Sequence, residues 1–259
     1  MDMHSAPQAW LSEVFCSVQG EGPLLGVRQI FVRFFGCHRQ CAFCDTLASQ
    51  GARAPVTFAV RTAEGRGGAD RRPNPVRPAD LVQLCAELDQ PRGRLHSISL
   101  TGGEPLQQAD FLCAALPLLK RRGWKIHLET AGDCVRELER VLPWIDYVTM
   151  DIKLPSVTGE PGRWLAHRRF LAGCVRAGRK TAVKVIVSRE TSEAELRRAA
   201  ALVAEVASRV TLVLQPAAPV GRVAAPRPEQ LLQWQALALE TGLRDVRVIP
   251  QIHKLMGQH

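Results

Sequence analysis

Apolar and polar positions along this chain follow two periods that replace one another from end to end. Runs of strand length cover residues 29–35, 97–101, 125–129, 147–151, 181–187 and 210–215. Between them, apolar residues recur at helical spacing over 78–88, 110–122, 135–142, 164–177, 193–206 and 228–240. Pro78 opens the first of these helices, where its missing N–H costs nothing. Residues 245–249 add a short last strand. Residues 50–77 carry no period and read as a Gly-, Pro- and Arg-rich insertion, a solvated surface loop.

Strands that alternate with helices build βα units around a parallel sheet. Six such units predict an α/β fold, a partial, open TIM-like βα barrel, because a full eight-unit barrel needs more chain. The 259 residues read as one domain carrying the 50–77 insertion. Alternation along the strands sorts the side chains by face. Ser97, Ser99 and Thr101 oppose Ile98 and Leu100; Lys125, His127 and Glu129 oppose Ile126 and Leu128; Thr149 and Asp151 oppose Val148 and Met150. The result is a central pocket lined by polar side chains. In such folds the chemistry sits at the C-terminal strand ends. Gly102, Gly103, Glu104, Glu129, Asp151, Lys153 and Gln215 gather there, beside a cysteine-rich loop.

Composition narrows the setting. Hydrophobic residues make up 46%, and no stretch has a secretory pattern or approaches a membrane span. The expectation is a soluble cytoplasmic protein with reduced thiols. The net charge is +9, and part of it lies in 50–77, where six arginines face only Glu64 and Asp70. That stretch lacks interleaved aromatics and any nucleic-acid motif, so neither nucleic acid nor membrane is expected as a partner.

The loop after the first predicted strand reads Gly36-Cys37-His38-Arg39-Gln40-Cys41-Ala42-Phe43-Cys44-Asp45-Thr46. A cubane iron–sulfur cluster normally takes four thiolates, so three leave one iron open for substrate or cofactor. The competing reading is a zinc site, but no second cysteine pair follows, and His38 would crowd the metal held by Cys37. Cys85, Cys113 and Cys174 lie in helical patterns and read as buried small hydrophobes. Thr101-Gly102-Gly103-Glu104-Pro105 closes a strand with two glycines, which let a ligand approach the backbone.

The C-x3-C-x2-C spacing and the Gly-Gly-Glu element resemble those of radical S-adenosylmethionine (SAM) enzymes. Ser17-Val18-Gln19-Gly20-Glu21-Gly22, Arg33, Asp45-Thr46, Asp151-Ile152-Lys153, Gln215-Pro216 and Gln251-Ile252-His253-Lys254 extend the resemblance, from Phe15 to Lys254, to the 7-carboxy-7-deazaguanine synthases. That resemblance implies a carbon–nitrogen lyase of 7-deazapurine (queuosine) biosynthesis. It would convert 6-carboxy-5,6,7,8-tetrahydropterin to 7-carboxy-7-deazaguanine with loss of ammonia. It implies a [4Fe–4S] cluster on Cys37, Cys41 and Cys44, and Mg2+ on Thr46. It puts Phe43, Gly102, Gly103, Glu104, Asp151, Lys153 and Gln215 beside SAM. Val18, Gln19, Gly20, Arg33 and Thr101 would contact the pterin. His253 joins them, and Arg33 offers a planar fork for a carboxylate. Glu21 or Glu129 would accept from a guanine-like edge. A flavodoxin- or ferredoxin-type electron donor and a homodimer also follow from the resemblance.

Two other readings use the same cysteines. A glycyl-radical-enzyme activating enzyme shares both core motifs but leaves Gln19-Gly20-Glu21-Gly22 and the C-terminal motif unexplained. An iron–sulfur electron-transfer or binding module would use the cluster alone and wants a fourth cysteine ligand.

Overall fold

The computed structural model describes residues 7–61, 69–221 and 223–258. In chain order the strands are β1 (Leu11–Val18), β2 (Arg28–Phe34), β3 (Thr57–Arg61), β4 (Asp70–Pro73), β5 (Ser97–Gly102), β6 (Ile126–Thr130), β7 (Tyr147–Asp151), β8 (Lys180–Val187), β9 (Thr211–Pro216) and β10 (Val246–Val248). The α-helices are α1 (Pro78–Leu88), α2 (Ala109–Arg121), α3 (Val135–Val141), α4 (Pro155–Thr158), α5 (Trp164–Arg176), α6 (Glu193–Ala207), α7 (Pro228–Leu239) and α8 (Ile252–Leu255).

All ten strands form one open sheet in the order β10-β9-β8-β7-β6-β5-β2-β1-β3-β4. Seven of them, β2 and β5 to β10, run parallel. The expected open parallel sheet is therefore present and wider than predicted. Two regions differ from the sequence reading. The segment before the first predicted strand is itself a strand, β1, antiparallel to β2, with Ser17 and Val18 inside it. Its register shifts between Leu11 and Glu13, and this breaks the alternation that would have marked it. The 50–77 stretch is also not a simple solvated loop. Within it, β3 pairs parallel to β1 and antiparallel to β4, and Phe58, Ala59 and Val60 are buried. Glu64 and Arg66 of the basic stretch lie outside the described residues.

The two faces of the sheet divide as the alternation requires. Ile98, Leu100, Ile126, Leu128, Val148, Met150, Val183, Val185, Leu212 and Leu214 pack under the helices, against residues such as Leu112, Phe170, Leu196 and Val203. The opposite face carries a buried polar row. Gln29 donates to Ser97 Oγ at 2.7 Å and lies 3.3 Å from His127 Nδ1, and His127 Nε2 meets Thr149 Oγ1 at 2.9 Å. Such groups remain inside because each has a partner. Burial pushes the His127 pKa down, which keeps the ring neutral in this row. Cys85 and Cys174 are buried as expected, whereas Cys113 is only half-buried.

Candidate active site

Above the polar row, at the C-terminal ends of the parallel strands, lies a cavity of about 490 Å³. Cys37, Cys41 and Cys44 line it on the loop that follows β2. Close backbone contact positions that loop. Gly102 has φ +114°, and a Cβ on Gly103 would lie 1.9 Å from the Gly36 carbonyl oxygen. The backbone N–H of Glu104 donates to that same oxygen at 2.8 Å. The two glycines are therefore required where β5 meets the cysteine loop.

The expected SAM-side residues separate into two groups. Phe43, Gly102, Gly103, Asp151, Lys153 and Gln215 line the cavity. Glu104 does not line it: the residue is fully buried, and its carboxylate accepts from Leu106 N, Thr130 Oγ1 and Ala131 N at 3.1, 2.8 and 2.7 Å. It braces the end of β5 against the end of β6, and burial raises its pKa. Gln215 is 2% exposed, and its Oε1 has no hydrogen-bond partner.

The substrate-side residues Val18, Gln19, Gly20, Glu21, Arg33, Thr101, Glu129 and His253 all line the same cavity. Gln19 is largely committed to the protein: its Nε2 donates to Gln29 Oε1 and Glu129 Oε1, and its Oε1 accepts from Glu21 N. Glu129 also accepts from Ser99 Oγ. Arg33 donates from Nε to Glu13 at 2.7 Å and lies 5.7 Å above the Phe15 ring, itself stacked on Phe31. Glu13 also takes Arg61 of β3 at 2.6 Å, so the insertion reaches the rim of the site. His253 packs so closely on Gly20 that a Cβ there would fall 2.1 Å from its Nδ1.

A chain of buried charge crosses the cavity. Lys184 Nζ lies 2.6 Å from Glu21 and 3.4 Å from Asp151, which also pairs with Lys153 at 2.8 Å. Lys153 Nζ in turn lies 5.1 Å over the Phe43 ring. Burial pushes the Glu21 carboxyl up, but the charge and hydrogen bond of Lys184, with Gln251, outweigh it and hold the pKa near 2. Burial would lower the Lys184 ammonium, and Asp151, Glu21 and Glu129 raise it instead. Gln251 donates to Glu21 and Asp45 at 2.6 and 3.1 Å, and Lys254 reaches Asp45 at 3.1 Å. In this way α8 closes the cavity.

Sequence reasoning did not single out Lys184, Arg39, Glu13 or Asp133. Lys184 carried a signal: it is a cation in the middle of β8, on the face opposite Val183 and Val185 and between Ala182 and Ile186. His38 turns to Asp133 at 2.9 Å, and this hydrogen bond raises the imidazole pKa. His38, Asp133 and Cys134 gather within 4.8 Å, but Arg39 and Arg163 flank Asp133 and oppose a cation there.

The model of the radical SAM superfamily matches residues 31–207. The chain belongs to that superfamily, whose members carry a [4Fe–4S] cluster and SAM. It is 39% identical over 255 residues to the 7-carboxy-7-deazaguanine synthase of Geobacter sulfurreducens, covering 98% of this chain and 99% of the relative. The synthase of Thermococcus kodakarensis is 33% identical, over 95% and 98% of the two chains. Within the superfamily, the chain belongs to the 7-carboxy-7-deazaguanine synthase family. The crystal structure of QueE from Escherichia coli shares the fold, with TM-score 0.61 and 19% identity over 94% of each chain. Full-length relatives of one kind set aside the glycyl-radical-activase and electron-transfer readings of the cysteines.

The residues present fit the cofactors of the family. Three free thiols face one cavity. Two of their sulfurs receive N–H donors, Arg39 N on Cys37 at 3.4 Å and Gln50 Nε2 on Cys44 at 3.2 Å. Hydrogen-bonded thiolates of this kind hold iron–sulfur clusters. Burial pushes Cys37 up to about 11 and raises Cys41 as well, so these sulfurs ionise when metal replaces the proton.

Proposed function

We propose that this protein converts 6-carboxy-5,6,7,8-tetrahydropterin to 7-carboxy-7-deazaguanine with loss of ammonia. The observation that carries the reading is one cavity in which the three cysteines face Arg33 and Glu129. When bound, the cluster would supply the electron for reductive cleavage of SAM, and SAM the 5′-deoxyadenosyl group that abstracts hydrogen from C6 of the pterin.

The chain's own residues bind and orient. Cys37, Cys41 and Cys44 would hold the cluster, and three thiolates on a four-iron cluster would leave a position for the methionine end of SAM. The backbone at Gly102 and Gly103, which lines the cavity, would receive that end, with Phe43, Asp151, Lys153 and Gln215 around the rest. Glu104 keeps the β5 end rigid from below. Arg33 binds the pterin carboxylate, and its Nε contact with Glu13 fixes the plane of the fork. Glu129 accepts N–H groups of the guanine-like edge, held in place by Gln19 and Ser99. Val18, Gly20 and Thr101 shape the cavity, and His253 on α8 covers it, which keeps water from a reactive radical. Glu21, tied to Lys184 and Gln251, holds that cover closed. Thr46 lines the cavity and would offer one hard oxygen to Mg2+.

The electron comes from a flavodoxin- or ferredoxin-type donor, and the active form is a homodimer. Among the described residues, no helix is long and apolar enough to cross a membrane.

The test is competitive binding of pterins with and without the 6-carboxylate. Reconstituted protein with SAM is expected to favour the carboxylated pterin by at least about tenfold, the scale of one charge-assisted pair. Arg33→Met should abolish that preference. Equal affinity of the wild-type protein for both pterins would overturn the reading.

A further inference from the structure

Arg39 lies between Cys37 and Cys41 on the cysteine loop, and its side chain is only 2% exposed. Despite this burial it lines the cavity. Its guanidinium is held from behind at two points. Nε lies 2.7 Å from Glu160 Oε2, off hydrogen-bonding angle, and NH1 donates to Asp133 Oδ2 at 3.4 Å. NH2 is buried and has no partner.

The loop around it is tied down by the same groups. Glu160 accepts from the backbone N–H of Gln40 at 2.7 Å, and Asp133 also takes His38 at 2.9 Å. Gln50 donates to both the Arg39 carbonyl and the Cys44 sulfur. Arg39 is therefore fixed in the wall beside the three thiols, with a donor left over. A buried guanidinium nitrogen without an acceptor is costly unless something anionic completes it. A cluster held by three thiolates is anionic, and its sulfurs accept hydrogen bonds.

We propose that Arg39, oriented by Asp133 and Glu160, is a cationic hydrogen-bond donor to the iron–sulfur cluster and holds its reduction potential up. The inference rests on the cluster read above. A positive charge and an N–H donor both favour the reduced, more negative cluster, because each stabilises added electron density. Asp133 and Glu160 act as positioning residues: they aim the fork and keep the cation buried.

The experiment is anaerobic reconstitution of the full chain, followed by iron and sulfide analysis and an EPR-monitored redox titration. Arg39→Met should bind wild-type iron and sulfide yet show a lower midpoint potential. The expected shift is about tenfold in the reduction equilibrium, ~59 mV for one electron. Arg39→Lys, which keeps the charge without the fork, should fall between the two. If Arg39→Met does not fold, Arg39→Gln, which keeps a donor and loses the charge, decides by the same readout. An unmoved potential in the folded uncharged variant overturns the proposal. So does an unmoved potential accompanied by weakened SAM binding, which would assign Arg39 to the SAM carboxylate. A wild-type chain that takes up no iron and sulfide overturns this inference and the cluster reading together. A loaded wild type with an insensitive potential overturns this inference alone.

Discussion

Lys184 is the side chain on which the buried charge of the cavity converges, since it pairs with Glu21 and shares Asp151 with Lys153. Replacing it by Met leaves Glu21 buried without its cation, while Asp151 keeps Lys153. Breaking a buried pair costs about 3 kcal/mol, read as a lower urea midpoint at unchanged slope. The pH dependence follows from Glu21. Its pKa is depressed in the folded state from 4.5 to about 2. Its stabilisation is therefore present above pH 4.5 and lost as pH falls toward 2, at most about 3 kcal/mol. In Lys184→Met that acid-side slope should flatten. An unchanged slope in urea titrations across this window would mean that Lys184 does not hold Glu21 ionised. The sequence marks Lys184 only as a cation in an apolar strand, because its partner Glu21 is 163 residues away. Arg39 and Asp133 were illegible for the same reason, being 94 positions apart. The cysteines were legible because a cluster-binding loop is local and its spacing survives in one dimension.

At the scale of elements, the strands and helices with clean periods were read to within a residue or so, and α1 and β7 coincide with the structure. The strands missed were β1, whose bulge breaks the alternation, and the antiparallel pair β3 and β4, whose exposed Asp70–Pro73 strand carries no apolar face; the short helices α4 and α8 were missed as well. Two elements support direct tests. On α8, His253 sits where a Gly20 side chain would be. Gly20→Ala should displace α8 and raise the KM for the pterin severalfold, with iron content and the SAM-dependent cluster spectrum unchanged. A simultaneous loss of iron would show that α8 supports the cluster loop instead. On α5, the fully buried His167 meets the Ala131 carbonyl at 3.1 Å through Nε2, which makes Nε2 the protonated donor. Burial pushes its pKa from 6.5 down to about 4. The unfolded chain then binds the extra proton, so stability is full above pH 6.5 and falls as pH drops toward 4, by about 3 kcal/mol. His167→Gln keeps a donor for Ala131 and should remove this slope; thermal melts between pH 4 and 7 report it.

At the scale of the whole molecule, one sheet brings together residues from Val18 to His253 at the C-terminal ends of its strands. The parallel order from β2 to β10 places the cysteine loop, the Gly-Gly end of β5 and the polar ends of β6 to β9 in sequence around one cavity. Both the end of β1 and α8 then close it, so cofactor and substrate groups share a single sheltered space. The central claim is that this space performs the ring contraction. Anaerobic turnover with SAM, Mg2+, dithionite and 6-carboxytetrahydropterin, followed by mass detection, tests it most directly. The expected result is 7-carboxy-7-deazaguanine from the wild-type protein and none from Cys41→Ala. Release of 5′-deoxyadenosine without any deazaguanine would leave the radical chemistry standing and contradict the substrate.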